Sequence, residues 1–265
     1  MKKILFLLSI IVFLYSQNFL LTVSNYKIIN SKIPESFNNY KIVQISDYHN
    51  ETNKLLNNKL IKKIKDIKPN IIVITGDLID STNTNIDQVI KLVDGIKNIS
   101  DIYYVTGNHE TWTNEYEQLK IELEKRKVHI LNNEAVKLKS DISEINLIGI
   151  NDTKTNEEFQ INIEQVNYNK NNYTILLSHR PELYNEYVKK DIDLVLTGHA
   201  HGGQIRIFNQ GLIAPDQGLL PKYTSGLIEE NNTTMITSRG IGNSVIPIRI
   251  NNHPELVVIT LKNKN

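Results

Sequence analysis

Five short β-branched runs between residues 41 and 197, each closing on a turn that carries Asp, Asn or His, constrain this chain more than any other feature. They are Lys41 to Ser46 (KIVQIS), Ile71 to Thr75 (IIVIT), Ile102 to Thr106 (IYYVT), Tyr173 to Ser178 (YTILLS) and Leu194 to Thr197 (LVLT). Stretches of helical period separate them at 54–67, 85–97, 114–127 and 181–190. Strands that alternate with helices in this way specify an α/β domain. From Gln204 onward the runs QIRIF, TTMITS and ELVVITL follow one another without intervening helices, so the spacing predicts that the last third adds a β layer. No Gly/Ser-rich linker and no internal repeat divides the body, which reads as one domain over 25–265.

Residues 1–24 stand apart from that pattern. Lys2 and Lys3 precede an apolar run from Ile4 to Tyr15 broken only by Ser9, then a polar notch, Ser16-Gln17-Asn18, then apolar residues to Val23. Read through the notch, the segment is 20 residues long, and a helix of about 20 residues crosses a bilayer. A cleaved signal would need a small-x-small site after the apolar run, and a buried core helix would need a polar face; neither is present. The expectation is therefore a single-pass anchor over 1–24, with the lysines in the cytoplasm and the body outside it.

Charge and cysteine content narrow the chemistry of the body. Setting Lys2 and Lys3 aside leaves 28 basic against 29 acidic residues, so no polybasic patch grips anionic lipid and no basic field draws nucleic acid. With no cysteine there is no disulfide, no thiolate ligand and no thiol nucleophile. Any metal must sit on oxygen and nitrogen.

Five of the seven histidines stand directly after the strands. Asp47-Tyr48-His49 follows KIVQIS, and residues two apart on an extended segment project to the same side, so a carboxylate and an imidazole converge. Gly76-Asp77-Leu78-Ile79-Asp80 follows IIVIT, where Asp77 is either a ligand at the strand end or the cap of the next helix. Gly107-Asn108-His109-Glu110, Ser178-His179-Arg180-Pro181 and Gly198-His199-Ala200-His201-Gly202-Gly203-Gln204 complete the set. The last is the most specific, because two histidines at i and i+2 in a glycine-rich turn suit a metal far better than a core. Crevices beyond the carboxyl ends of strands are where α/β proteins hold ligands. Three Asp or Asn and four His exceed the needs of one cation and fit two that share a carboxylate, about 3.5–4 Å apart. Hard oxygen donors mixed with imidazoles suit Mn²⁺, Fe²⁺ or Zn²⁺.

In order, D-x-H, GDxxD, GNHE, a lone His and GHAH resemble the calcineurin-like metallophosphoesterase superfamily, over about residues 40 to 262. The GHAHGGQ form, Ser238-Arg239-Gly240-Ile241-Gly242, PIR and HPEL are similar to its bacterial membrane-associated branch, which includes phosphodiesterases and enzymes acting on UDP-diacylglucosamine. The resemblance implies two packed mixed β-sheets flanked by helices. It also implies that Asp47, His49 and His201 hold one metal, that Asn108, His179 and His199 hold the other, and that Asp77 bridges them. His109 would be the catalytic histidine, with Asp80 orienting it, the alternative being a further metal ligand.

The expected activity is hydrolysis of a phosphodiester or pyrophosphate bond by metal-activated hydroxide at a membrane surface, with lipid-linked substrates in range. A nuclease of the same superfamily fits less well with a body of net −1. A non-catalytic metal-binding module fits less well because every ligand position and His109 are filled. Tyr48 and Asn50-Glu51-Thr52 depart from the aliphatic and Leu-Gly residues usual in the branch, so the resemblance leaves substrate shape near the first metal open. Arg180 either grips a phosphate bidentately or is an exposed residue ahead of a Pro-started helix. Trp112 is expected to pack, the loop Pro215 to Gly226 to wall the pocket, and His129 and His253 to be structural.

Overall fold

The structure, a computed structural model, describes residues 2–243 and 248–264; Pro247 of the PIR stretch lies outside the described residues. Two six-stranded mixed sheets form its centre. The first runs, edge to edge, β1 (Thr22–Asn30), β16 (Glu255–Asn263), β2 (Lys41–Ile45), β3 (Ile71–Thr75), β4 (Asp101–Val105) and β5 (His129–Ile130). The second runs β14 (Gly226–Glu230), β15 (Thr233–Thr237), β9 (Leu194–Thr197), β8 (Thr174–Leu177), β7 (Ser143–Gly149) and β6 (Glu134–Ser140). Neighbours are parallel except β16 with β2, β14 with β15, and β6 with β7.

Helices α2 (Lys54–Ile67), α3 (Ile86–Ile96) and α5 (Tyr116–Glu124) cover the outer face of the first sheet, and α6 (Asn156–Gln165) and α7 (Tyr184–Lys189) cover that of the second. The short α4 (Asn108–Trp112) follows β4. This four-layer order explains why the strand runs are apolar without interruption. In β3, Ile71 and Val73 enter the core between the sheets while Ile72 and Ile74 enter the core under the helices. In β9, Leu194 and Leu196 face the other sheet and Val195 faces helices. A strand buried on both faces needs an apolar residue at every position, and each such side chain stabilises by roughly 1.5–3 kcal/mol. The α2 helix occupies the 54–67 span that its periodicity predicts, with Asn53 Oδ1 accepting from the backbone N–H groups of Leu55 and Leu56.

The last third does not form a layer of its own. TTMIT is β15 of the second sheet, ELVVITL lies in β16 between β1 and β2 of the first, and QIRIF contributes only the two-residue β10 (Arg206–Ile207). That strand pairs with β11 (Gln210–Gly211), and β12 (Ile213–Ala214) pairs with β13 (Gly218–Leu219), giving two small hairpins. The absence of helices between runs described the connections, not the partners.

The N-terminal helix α1 (Lys2–Phe19) ends four residues short of Val23. Thr22 already pairs with Glu255, so the boundary expected at residue 24 falls inside β1, and Leu21 is buried in the core. Among the described residues, α1 is the one helix long and apolar enough to cross a membrane. Its polar notch is spent on docking. Asn18 Oδ1 accepts from the Arg249 backbone N–H at 3.1 Å and Gln17 Oε1 accepts from that of Asn251 at 2.7 Å.

Candidate metal centre

The five motif turns leave the carboxyl ends of β2, β3, β4, β8 and β9, so both sheets deliver side chains to one place. Asp47 and His49 do not continue β2 as extended backbone. Their φ angles are 48° and 46°, and Asp77, His199 and His201 are also left-handed at 52°, 65° and 46°. Left-handed backbone costs roughly 1–2 kcal/mol at each residue with a Cβ, so the turns are held from outside. Backbone N–H groups of Asp47, His49 and Asn50 donate to Gly76 O, Asp77 O and Leu78 O, zipping the first two turns together. Close approach does the rest: a Cβ on Gly107 would lie 2.3 Å from Asp77 Oδ1, and one on Gly198 would lie 2.4 Å from Asp47 Oδ2.

Asp47, His49, Asp77 and His201 present ligand atoms within 4.8 Å of one another, and so do Asp77, His179 and His199. Asp77 belongs to both groups. Asn108 Oδ1 stands 3.1 Å from His179 Nε2 and so joins the second. All seven side chains are buried. His49 Nε2 faces His201 Nε2 at 3.2 Å, His201 Nε2 lies 3.4 Å from Asp47 Oδ1, and His179 Nε2 lies 3.2 Å from Asp77 Oδ2. Meanwhile, among the described residues, Asp47 Oδ2, His49 Nδ1 and His201 Nδ1 have no hydrogen-bond partner. Converging nitrogen and oxygen lone pairs, some orphaned in a buried cluster, are what a borderline divalent cation satisfies, so the donor set fits the group.

The electrostatics follow from the packing. Burial holds the His49 and His201 imidazoles below their ordinary pKa, which keeps them neutral with lone pairs free. Burial acts against the charged form of His179 too, but Asp77 outweighs it and pushes His179 up to about 10. Burial alone would raise Asp77, yet the facing His179, His49 and His109 rings hold it well below the usual carboxylate range. His179 Nδ1 is 2.7 Å from Thr75 O, which fixes a proton there and aims Nε2 at the cluster.

His109 stacks edge-on against His49, ring centroids 4.5 Å apart. The hydrogen bond expected from Asp80 is made by Ser81 instead, whose backbone N–H donates to His109 Nδ1 at 3.0 Å. Asp80 lies 4.0 Å away, and its Oδ1 accepts from the N–H and hydroxyl of Thr82. An accepting Nδ1 places the proton of the neutral ring on Nε2.

Other expectations are corrected by burial. Tyr48 turns away from the centre into the core beneath α2 and α3, its hydroxyl 3.1 Å from both Glu51 O and Asn57 Oδ1, so it does not shape the site. Arg180 is neither exposed nor free for a phosphate. Its Nε and Nη2 bind Asp152 at 2.7 and 3.0 Å, and its Nη1 binds Asp216 at 2.5 Å. Asp216 also stands 3.0 Å from His199 Nε2, so it is at Asp216 that the loop Pro215 to Gly226 meets the centre. Trp112 is 56% exposed and borders His109, ring centroids 5.3 Å apart, where packing was expected. His129 stacks on Tyr103 and His253 lies against Ser16 O, both apart from the cluster.

Two buried residues escaped sequence reasoning. Glu110 accepts from the backbone N–H groups of Asp77, Ile79 and Gly107 at 2.9, 3.2 and 2.7 Å and so ties two motif turns together. Burial, helped by the charge of Asp77, pushes its carboxyl up to about 7. Its place in GNHE was the one signal available. Arg249 donates to Arg239 O, Gly242 O and Asn243 Oδ1, bracing a segment whose Gly242 N–H donates to Asp47 O. Its place in PIR was the one signal available.

A family model described as calcineurin-like phosphoesterase matches residues 40–203. The chain is 29% identical over 258 residues to YkuE, an uncharacterised metallophosphoesterase of Bacillus subtilis, covering 95% of this chain and 89% of that one. It is 27% identical over 248 residues to a Bos taurus transmembrane protein with a metallophosphoesterase domain, covering 87% of this chain and 55% of that one. A solved structure superposes with a TM-score of 0.51 at 11% identity, over 74% of this chain and 89% of its own, a likeness of fold alone.

Proposed function

The chain belongs to the calcineurin-like phosphoesterase family and is a metal-dependent phosphoesterase, and from that premise we propose that it cleaves a phosphodiester or pyrophosphate bond at a membrane surface with two divalent cations. The observation that carries the reading is the buried convergence of seven donors into two groups that share Asp77. Asp47, His49 and His201 would hold one cation, Asn108, His179 and His199 the other, and Asp77 would serve both. Divalent cations, when bound, supply Lewis acidity that lowers the pKa of a water and offsets the charge building on phosphoryl oxygens.

The chain's own residues do the rest. His109 is the proton donor to the departing oxygen, because Ser81 occupies its Nδ1 and leaves the proton on Nε2. Neutral His49 and His201 keep their lone pairs turned to the site. Asp152 and Asp216 neutralise Arg180, so substrate charge meets the cations and not this guanidinium. Membrane attachment is supported by α1 and by the transmembrane relative, with Lys2 and Lys3 on the cytoplasmic side and the body outside.

The test uses the full chain in detergent, stripped by chelation and reloaded with Mn²⁺, Fe²⁺ or Zn²⁺. It should bind two equivalents of metal, and only the reloaded protein should cleave aryl diesters or nucleotide-sugar pyrophosphates faster than aryl monoesters. Full turnover with one equivalent, or a preference for monoesters, refutes the proposal.

A further inference from the structure

The two hairpins that follow His201 form one unit, since the Leu220 N–H donates to Leu212 O and Gln210 Nε2 donates to Pro221 O, both at 2.9 Å. One end reaches the candidate metal centre: the turn Pro215-Asp216-Gln217 puts Asp216 against His199. Elsewhere the unit shows water a set of large apolar side chains. Phe208 is 94% exposed, Leu219 80% and Leu220 67%, with Ile207 and Ile213 at 53% and 40%. A single exposed leucine needs no account; five such residues within positions 207–220, on a unit otherwise tied down by hydrogen bonds, do.

What covers them follows from where α1 ends. Gln17 Oε1 accepts from the Asn251 backbone N–H, and Asn251 Nδ2 donates to Arg206 O at 3.2 Å. Ile205 forms a β-bridge with Ile250. The last turn of α1 and the root of the first hairpin therefore hold the same strap of chain. With α1 inserted in a bilayer, the exposed apolar turns before Ser16 lie in hydrocarbon and the docked notch, Gln17 and Asn18, lies at the interface. The hairpins rooted beside that notch lie at the same depth. Lys222, exposed at the end of the unit, suits the headgroup level.

We propose that the hairpin unit is a second contact with the lipid bilayer, and that it turns the metal centre towards the membrane surface. This rests on the membrane-anchored phosphoesterase reading above. The unit would run from the bilayer at Phe208 and Leu219 to the metal centre at Asp216.

The chain has no cysteine, so single-cysteine labels report without background. Full-length protein carrying Phe208→Cys, Leu219→Cys or Ile142→Cys, the last in the turn between β6 and β7, is labelled with NBD and placed in phosphatidylcholine/phosphatidylglycerol vesicles. Labels at 208 and 219 should emit to the blue and be quenched by doxyl lipid, and the label at 142 should behave as in water. Water-like emission at 208 and 219 overturns the proposal. So does shielding that tracks protein density and not the quencher lipid, which would assign the patch to a second copy.

The triple variant Phe208→Asp, Leu219→Asp, Leu220→Asp gives the functional arm. It should hydrolyse soluble bis(nitrophenyl) phosphate within about twofold of the parent, and vesicle-borne hexadecyl nitrophenyl phosphate about tenfold or more slowly, because surface contact acts through effective concentration. Equal rates on both esters, or equal losses on both, overturn the proposal. The label arm needs no turnover, so failure of the parent protein to cleave either ester refutes the phosphodiesterase reading and leaves bilayer contact to be decided by quenching.

Discussion

Asp77 sits in both donor groups, and its Oδ1 also accepts the His109 backbone N–H at 2.9 Å. Under the proposed reading, one carboxylate would serve the cations and the position of the proton donor together. Asp77→Asn should drop metal content towards one or zero per chain and lower turnover by more than the roughly 10–100-fold that loss of an outer partner costs. Metal analysis beside steady-state rates decides it, and two tightly held metals with near-normal turnover would refute the shared role. His109→Asn removes the Nε2 proton without touching the seven donors. Metal should stay, while rates fall by about 10²–10⁴ for an alkoxide leaving group and much less for nitrophenolate, which needs no proton. Equal losses on both would assign His109 to binding.

Two buried residues outside the donor set brace three of the motif turns. Glu110 binds three N–H groups from two turns, so Glu110→Ala leaves three buried donors unpaired, at about 1–3 kcal/mol each. Glu110→Gln retains an accepting oxygen and should lose roughly a third of that stability. Urea melts of both variants test the order, and a Gln variant as unstable as the Ala one would mean that the charge, not the acceptor, is what the turns need. At the other end of the centre, Arg249 ties the α1 terminus to the segment behind Asp47, since its backbone N–H meets Asn18 and its guanidinium meets Gly242 O. The end of α1 and the candidate site are thereby one mechanical unit.

That coupling decides how the molecule tolerates truncation. A chain starting at Ser16 keeps Gln17 and Asn18 on the strap and should be soluble, with unchanged rates on a small diester. A chain starting at Asn25 loses Thr22 to Ser24 from β1, with their pairing to Glu255 to Val257, and should melt measurably lower. Equal melting temperatures for the two would refute the docking role. The α/β class, the five strands that carry the motif turns and the helices α2, α3, α5 and α7 were legible without coordinates, and the seven expected donors do converge, whereas β1, β5, β6, β7 and α6 were not read. What was legible rests on short-range facts: a strand buried on both faces is apolar throughout, and polar residues directly after such strands stand at its end. What occupies the space opposite was not legible. The pairing of Lys41 to Gln44 with Val257 to Thr260, the Ser81 N–H on His109, the carboxylates that claim Arg180 and the burial of Glu110 and Arg249 belong to that class. Local periodicity records only which face of an element is buried, whereas partners drawn from other segments, from 28 residues away for Ser81 and His109 to the far end of the chain for β2 and β16, are chosen when the sheets pack, and only the tertiary structure holds that choice.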